Sequence, residues 1–190
     1  KNITSGGEPG KRQAFVDTDF PMFRLADIYL MYAEAVVRGG QGGSETEAVN
    51  LINDLRERAY GDDSGNITSG QLTLDFILQE RARELNLVAD MRLDPLTSDI
   101  VVDLSGDVRP DELYLSLVFP TQNDRDQTFV LEHVRNGRYI TQGPDNLRYR
   151  WYLQIQPERQ QDDADWRLIG EATFPTEDSI VLRPGGRSES

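Results

Sequence analysis

The chain of 190 residues contains no cysteine and a single histidine, His133. The first absence excludes disulfides, thiolate zinc sites and a cysteine nucleophile, and it suits the cytosol and a bacterial exterior equally. The second means that a histidine-built metal site would need its other ligands elsewhere, so no metal is expected. Basic residues are also scarce: 20 Lys plus Arg stand against 33 Asp plus Glu, a net charge of -13 shared by both halves of the chain. So acidic a surface repels phosphate backbones and anionic lipid, which argues against nucleic acid as a partner. The longest apolar run, Ile28 to Val37, is broken by Glu34 and falls well short of a bilayer span. No Gly-rich phosphate loop, G-x-S-x-G or H-E-x-x-H motif occurs, so no cofactor is expected. The chain opens at Lys1 with no signal peptide, and its natural start is expected upstream.

What is present divides in two. Lys1 to Pro21 is Gly-rich and aperiodic and predicts an extended arm over 1–21, with Pro21 just ahead of a helix. From 22 to 86 apolar residues recur every three or four positions. Leu25, Ile28, Tyr29, Tyr32, Ala33 and Val36 predict the buried stripe of a first helix, which Gly39 and Gly40 stop. Ser44 and Glu47 form an S-x-x-E capping box before a second helix, whose stripe is Ala48, Leu51, Ile52, Leu55 and Ala59. Thr73 caps a third helix, with Leu72 and Ile77 as a hydrophobic staple and Leu74, Ile77, Leu78 and Leu85 inward. At Leu87 the period changes to two. Ile100, Val102 and Leu104, then Leu113, Leu115 and Leu117, then Trp151, Leu153 and Ile155 alternate with polar residues, with turn signals such as Asn136-Gly137 between runs. The predicted fold class is α+β: a helical hairpin plus a third, tetratricopeptide-like helix over 22–86, then an antiparallel β-sandwich over 87–184 and a disordered tail over 185–190.

Two families resemble the two halves. The run Arg24, Leu25, Ala26, Asp27, Tyr29, Leu30, Tyr32, Ala33, Glu34, Ala35 resembles the C-terminal helical region of the SusD/RagB family. So do Ile52, Asn53, Arg56, Arg58, Ala59 and then Glu80, Arg81, Arg83, Glu84, Leu85; the likeness covers about 15–86. It implies an outer-membrane protein that captures glycan or peptide nutrients for a TonB-dependent transporter. After Leu85 the chain departs from that pattern, with Val88-Ala89-Asp90-Met91 in place of the family's usual continuation. From Arg81 to about 184 it is similar instead to the soluble part of FixH. The matches are Arg81, Ala82, Leu85, Leu87, Ala89, Arg92 and Asp94, then Pro120-Thr121, Gly137 with Tyr139, the run Arg150 to Pro157, and Trp166-Arg167-Leu168 with Gly170. That resemblance implies a membrane-anchored, periplasm-facing β-domain working with the membrane proteins of respiratory oxidase assembly. The two likenesses share the stretch from Glu80 to Leu87, and both a natural fusion and a chimeric sequence joined there produce this pattern.

No catalytic residue is expected. The acidic pairs Asp62/Asp63, Asp111/Glu112 and Asp162/Asp163 fall in predicted loops without apolar surroundings, unlike glycosidase carboxylates of divided pKa. The run Asp162, Asp163, Asp165 lacks the spacing of a calcium loop. His133 ends a predicted strand and suits a structural or surface role. Among Tyr139, Tyr149, Trp151, Tyr152 and Trp166, the rings suited to sugar stacking, Trp151 and Trp166 sit on inward phases, while Tyr152 faces outward and is the ligand-binding candidate. Arg24, Arg56, Arg81 and Arg83 against Asp27, Glu57, Glu80 and Glu84 read as a surface or inter-helix ion-pair set with a structural role. The function expected is therefore non-enzymatic nutrient binding at the cell envelope, on the outer-membrane surface. The alternatives are a FixH-like assembly module facing the periplasm and, with no residues in its favour, a glycan-active enzyme.

Overall fold

The computed structural model describes residues 24–144, 147–158 and 164–185. The expected arm over 1–21, all of the expected tail over 185–190 except Gly185, and the acids Asp162 and Asp163 lie outside the described residues. Three α-helices come first: α1 (Leu25–Val37), α2 (Glu45–Tyr60) and α3 (Leu74–Glu84). Eight strands follow: β1 (Val88–Leu93), β2 (Asp99–Ser105), β3 (Glu112–Val118), β4 (Gln127–Arg135), β5 (Arg138–Gln142), β6 (Tyr149–Gln156), β7 (Leu168–Phe174) and β8 (Ile180–Leu182).

The helices pack around Ala26, Leu30, Ala33, Ala48, Val49, Ile52, Leu55 and Ile77. This corrects the expected face of α1. Leu25 and Ile28 are 59% and 44% exposed, while Ala26 and Leu30 are buried in their place. The helix is apolar around most of its circumference, so periodicity alone does not choose a stripe. Small Ala26 and Ala33 share this core with Ala48 of α2, where small side chains let two helices pack closely. On α2, Ala59 is exposed and Val49 is buried instead. The capping box is also altered. The Ser44 hydroxyl accepts from the Glu47 N–H at 3.4 Å, but the reciprocal bond is not made: the Ser44 N–H donates to the Tyr32 hydroxyl at 3.0 Å, which donates to Glu47 Oε2 at 2.7 Å. Tyr32 thus completes the cap and ties α1 to the start of α2. On α3, Thr73 caps the Phe76 N–H at 3.2 Å as expected, and Leu72 and Ile77 are both buried.

The strands form one antiparallel sheet in the order β7-β6-β3-β4-β5-β2-β1-β8. Its two edges meet: Ile169 and Arg183 exchange backbone hydrogen bonds of 3.0 Å each, so the sheet rolls nearly shut. The two facing walls of the expected sandwich are therefore parts of a single barrel-like sheet. Gly170 makes this closure sterically feasible, since a Cβ there would stand 3.1 Å from Leu182 Cγ. The strand alternation expected from sequence fills the interior with Met91, Ile100, Val102, Leu113, Leu115, Leu117, Leu131, Leu153 and Ile155. Trp151 and Trp166 are buried as their phases predicted. Asn136 and Gly137 take positive φ of 50° and 77° and turn β4 into β5 as a tight hairpin.

The helical part runs into the barrel without a linker. Helix α3 ends at Glu84, and β1 begins at Val88. Leu87 N–H donates to the Ala82 carbonyl at 2.9 Å, and the side chains of Ala82 and Leu87 belong to the barrel core. Arg167, only 3% exposed, reaches from the start of β7 to Asp75 of α3 and to Gln156 Oε1 at 3.2 Å, while its N–H bonds the Leu78 carbonyl at 3.3 Å. These contacts fix the helices over one end of the barrel.

Candidate functional site

A cleft of about 860 Å³ lies where the helices meet the barrel. One wall is α1, through Asp27, Met31, Glu34, Ala35 and Arg38; α3 adds Arg81 and Leu85. The opposite wall comes from the chain between β2 and β3 (Val108, Arg109, Pro110), from the end of β6 (Pro157, Glu158) and from Ala164, Asp165 and Trp166 before β7. Such junctions between packed units are a common setting for ligand pockets.

The wall of α1 is presented because its other face is spent on α2. Ala26, Leu30 and Ala33 turn inward, which leaves Asp27, Met31 and Glu34 toward the barrel side. At the back of the cleft, Arg81 Nη2 lies 2.5 Å from Glu34 Oε2, each side chain being 17% exposed. Glu34 is also held one turn along by Arg38, whose Nε stands 2.8 Å from Oε1. Arg81 Nη1 reaches across to the Asp165 carbonyl at 3.5 Å, with the Asp165 carboxylate at 3.9 Å. One arginine therefore joins α1, α3 and the segment before β7. Arg109 donates from Nη1 to the Gly106 and Val108 carbonyls at 2.8 and 2.6 Å. Its cation also lowers the pKa of nearby Tyr139, although burial dominates and holds that phenol above its ordinary value. Met31, 54% exposed, supplies an apolar lip, while Trp166 is 3% exposed and presents little of its ring. The cleft thus offers clustered hydrogen-bonding charges beside a small apolar surface, a combination suited to a polar, hydroxyl- or amide-bearing ligand.

The expected site residues do not converge here. Tyr152 is 44% exposed on the outer wall of β6, away from the cleft, with the Arg150 guanidinium 5.7 Å from its ring centroid. Arg150 is in turn paired with Glu171 at 2.5 Å. Tyr139 is fully buried, its hydroxyl bonding the Pro110 carbonyl at 2.7 Å. His133 is exposed on β4, its Nε2 accepting from the Gly137 N–H at 3.3 Å and its ring 5.0 Å from that of Tyr139. Asp62 caps the Ser64 N–H at 2.9 Å, and the hydrogen bonds from Ser64 hold its carboxyl below the usual range. Glu112 accepts from the Tyr114 hydroxyl at 3.0 Å on the surface. Among the described residues no group of three or more His, Cys, Asp and Glu side chains is placed to hold a metal ion.

The ion-pair set rearranges. Glu80 is 8% exposed and sits between Arg56 of α2 and Arg83 of its own helix, so the inter-helix alternative describes it rather than the surface one. Arg24 pairs with Asp107 of the barrel side at 3.5 Å, and Arg81 with Glu34. The pairing of Glu34 with Arg81 was not anticipated. Both residues lie within the two helical motifs, but 47 positions of chain separate them, and only the packing of α1 on α3 brings them together.

Comparison with known proteins divides the chain at the same junction. The model of the SusD family matches residues 3–89, and that of FixH matches residues 72–173. Starch-binding protein SusD of Bacteroides thetaiotaomicron is 40% identical over 96 residues, which is 50% of this chain and 15% of that protein. SusD-like protein P38 of Formosa agariphila is 33% identical over 100 residues, 48% of this chain and 19% of that protein. The chain therefore spans less than a fifth of the length of these curated relatives. No solved structure matches it. The FixH match takes in more than half of the chain, so the chain belongs to the FixH family and carries a SusD-family segment before and across the start of that region, a two-part SusD plus FixH architecture.

Proposed function

We propose that the chain is a non-enzymatic, SusD-like nutrient-binding module of the cell envelope, which holds a glycan or peptide in the cleft between helices and barrel. The single observation carrying this reading is the cleft of about 860 Å³, lined by Glu34, Arg38, Arg81 and Asp165 with Met31 at its lip. The likeness of the helical part to a starch-binding protein supports it. In this reading residues 22–86 form the capture part, residues 87–184 form its FixH-like partner domain, and a TonB-dependent transporter receives the ligand. Tyr152 offers a ring surface outside the cleft and is proposed as an accessory contact.

The test is thermal unfolding of residues 1–190 against a panel of maltoheptaose, xylohexaose and short peptides. A ligand at a hundred times its Kd stabilises by about 2.7 kcal/mol, a readily measured rise in Tm. Arg81→Ala is expected to remove that rise. No shift with any member of the panel defeats the capture reading.

A second reading has its own observation, the FixH match over residues 72–173. In it the barrel is a periplasm-facing module of respiratory oxidase assembly, and the helices serve to orient it. Co-purification of the chain with oxidase-assembly membrane proteins, undiminished by Arg81→Ala, favours this reading over capture.

A further inference from the structure

The charges lining the cleft between helices and barrel are not all engaged alike. Glu34 is held by Arg81 and Arg38, and Arg81 also reaches the Asp165 carbonyl, so these groups are committed to one another. Two lining groups are not. The Asp27 carboxylate, half-buried in the first turn of α1, makes no hydrogen bond or ion pair among the described residues. On the opposite wall Arg109 makes no ion pair among them either. Its Nη1 donates to the Gly106 and Val108 carbonyls at 2.8 and 2.6 Å, which leaves the Nη2 donors without a partner among the described residues. One uncommitted carboxylate and one uncommitted guanidinium thus stand on opposite walls of a cleft of about 860 Å³.

Both walls are fixed. Arg24, one turn before Asp27, pairs with Asp107 at 3.5 Å, and the Asp107 N–H bonds the Leu85 carbonyl at 3.0 Å. The chain leading to Arg109 is therefore tied to the start of α1 and to the end of α3. Just beyond Arg109, the Pro110 carbonyl accepts from the Tyr139 hydroxyl at 2.7 Å. The Arg109 side chain lies against the β4–β5 turn, where a Cβ on Gly137 would stand 2.9 Å from its Nε. A guanidinium held by its own loop and backed by a turn has little freedom left to lose when a ligand binds. Met31, Leu85, Val108 and Pro110 give the same walls an apolar surface. Among the described lining residues the one aromatic ring, Trp166, is 3% exposed, so it offers no face on which a sugar could stack.

We propose that the cleft takes a short peptide by its two free ends, the α-ammonium on Asp27 and the α-carboxylate on Arg109. This rests on the capture reading and narrows its ligand to a zwitterion. Both ends of a peptide are charged at pH 7, and each gains a charge-assisted hydrogen bond from a group that has no other partner. The balance of the lining points the same way, because four carboxylates stand against three arginines. A purely anionic ligand meets the excess of acids, and a purely cationic one leaves Arg109 unmatched. A zwitterion answers both. A free α-amino acid carries its two charges on one carbon, whereas groups on opposite walls need them apart; two extended residues span about 7 Å.

Calorimetric titration of the full chain at neutral pH compares alanyl-leucine, N-acetyl-alanyl-leucine, alanyl-leucine amide, free leucine and maltoheptaose. Alanyl-leucine is expected to bind. Capping either end, or replacing the dipeptide by leucine, is expected to weaken binding at least about tenfold, the factor that one good charge-assisted contact represents. The two variants cross. Arg109→Gln is expected to weaken alanyl-leucine about tenfold and to bind the amide equally well, while still rejecting the acetylated form; Asp27→Asn does the reverse. A merely structural role for either residue would weaken every ligand alike. The capped and uncapped peptides are compared on the unaltered chain, so that result decides the matter whether or not the variants fold. Binding of maltoheptaose without alanyl-leucine overturns the zwitterion and leaves capture standing, as does equal binding of leucine or of either capped peptide. Rejection of the amide by a folded Arg109→Gln overturns it too. If none of the ligands binds, it falls together with the capture reading.

Discussion

Replacing Glu80 tests how the helical half is held together. Its side chain is 11% exposed, and its carboxylate lies between Arg56 of α2 and Arg83 of its own helix. Arg56 is itself fixed by the Gly65 carbonyl and stacks at 5.1 Å over Tyr60 and 5.4 Å over Phe76. Its side chain is 12% exposed and cannot reach water without unpacking the loop after α2. Glu80→Ala therefore leaves one enclosed cation uncompensated, a change that costs about 3–5 kcal/mol in comparable settings. Arg83, 35% exposed, can turn to solvent and adds little. Against a total stability of roughly 5–15 kcal/mol, that is a large loss. Replacing both partners by apolar residues, Arg56→Met with Glu80→Leu, removes the stranded charge and is expected to recover most of the loss. Urea unfolding followed by circular dichroism measures both. Because the helical and barrel cores are separate clusters, the Glu80→Ala defect is expected first as an early loss of helical signal, with strand signal retained. A Glu80→Ala loss under about 1 kcal/mol, or a double variant no better than the single, refutes the reasoning.

Two further outcomes follow from local geometry. Asp103 is held below its ordinary pKa chiefly by the hydrogen bonds from Arg138, helped by the charges of Arg138 and Arg92. A depressed folded pKa means its contribution is present above the unfolded value of 3.8 and is lost as pH falls through the folded value, so Asp103→Asn should lower Tm more at pH 7 than at pH 2; an equal loss at both ends contradicts this. At the β4–β5 turn, Gly137→Ala places a methyl at a φ of 77° and against the Leu104 carbonyl, and it is expected to lower stability by at least about 1 kcal/mol in denaturant unfolding, whereas Asn136→Gly costs less.

The change of period at Leu87 was enough to place the helices before the strands and to set which side chains of β2, β3 and β6 face inward, because both are short-range consequences of backbone geometry. The caps at Ser44 and Thr73 and the turn at Asn136-Gly137 were legible for the same reason: each is decided within four residues. The orientation of α1 was not. Its apolar residues surround the helix, and only the fit of Ala26 and Ala33 against α2 selects the buried face, which turns Met31 and Glu34 toward the cleft. Burial of Glu80 depends in the same way on Arg56 arriving from another helix. Closure of the sheet through Ile169 and Arg183 and the span of Arg81 from Glu34 to Asp165 join residues far apart in the chain. Periodicity and capping act over a few residues and are written in the sequence itself, whereas the cleft and the rolled sheet arise from contacts between distant segments, which exist only once the whole chain has packed.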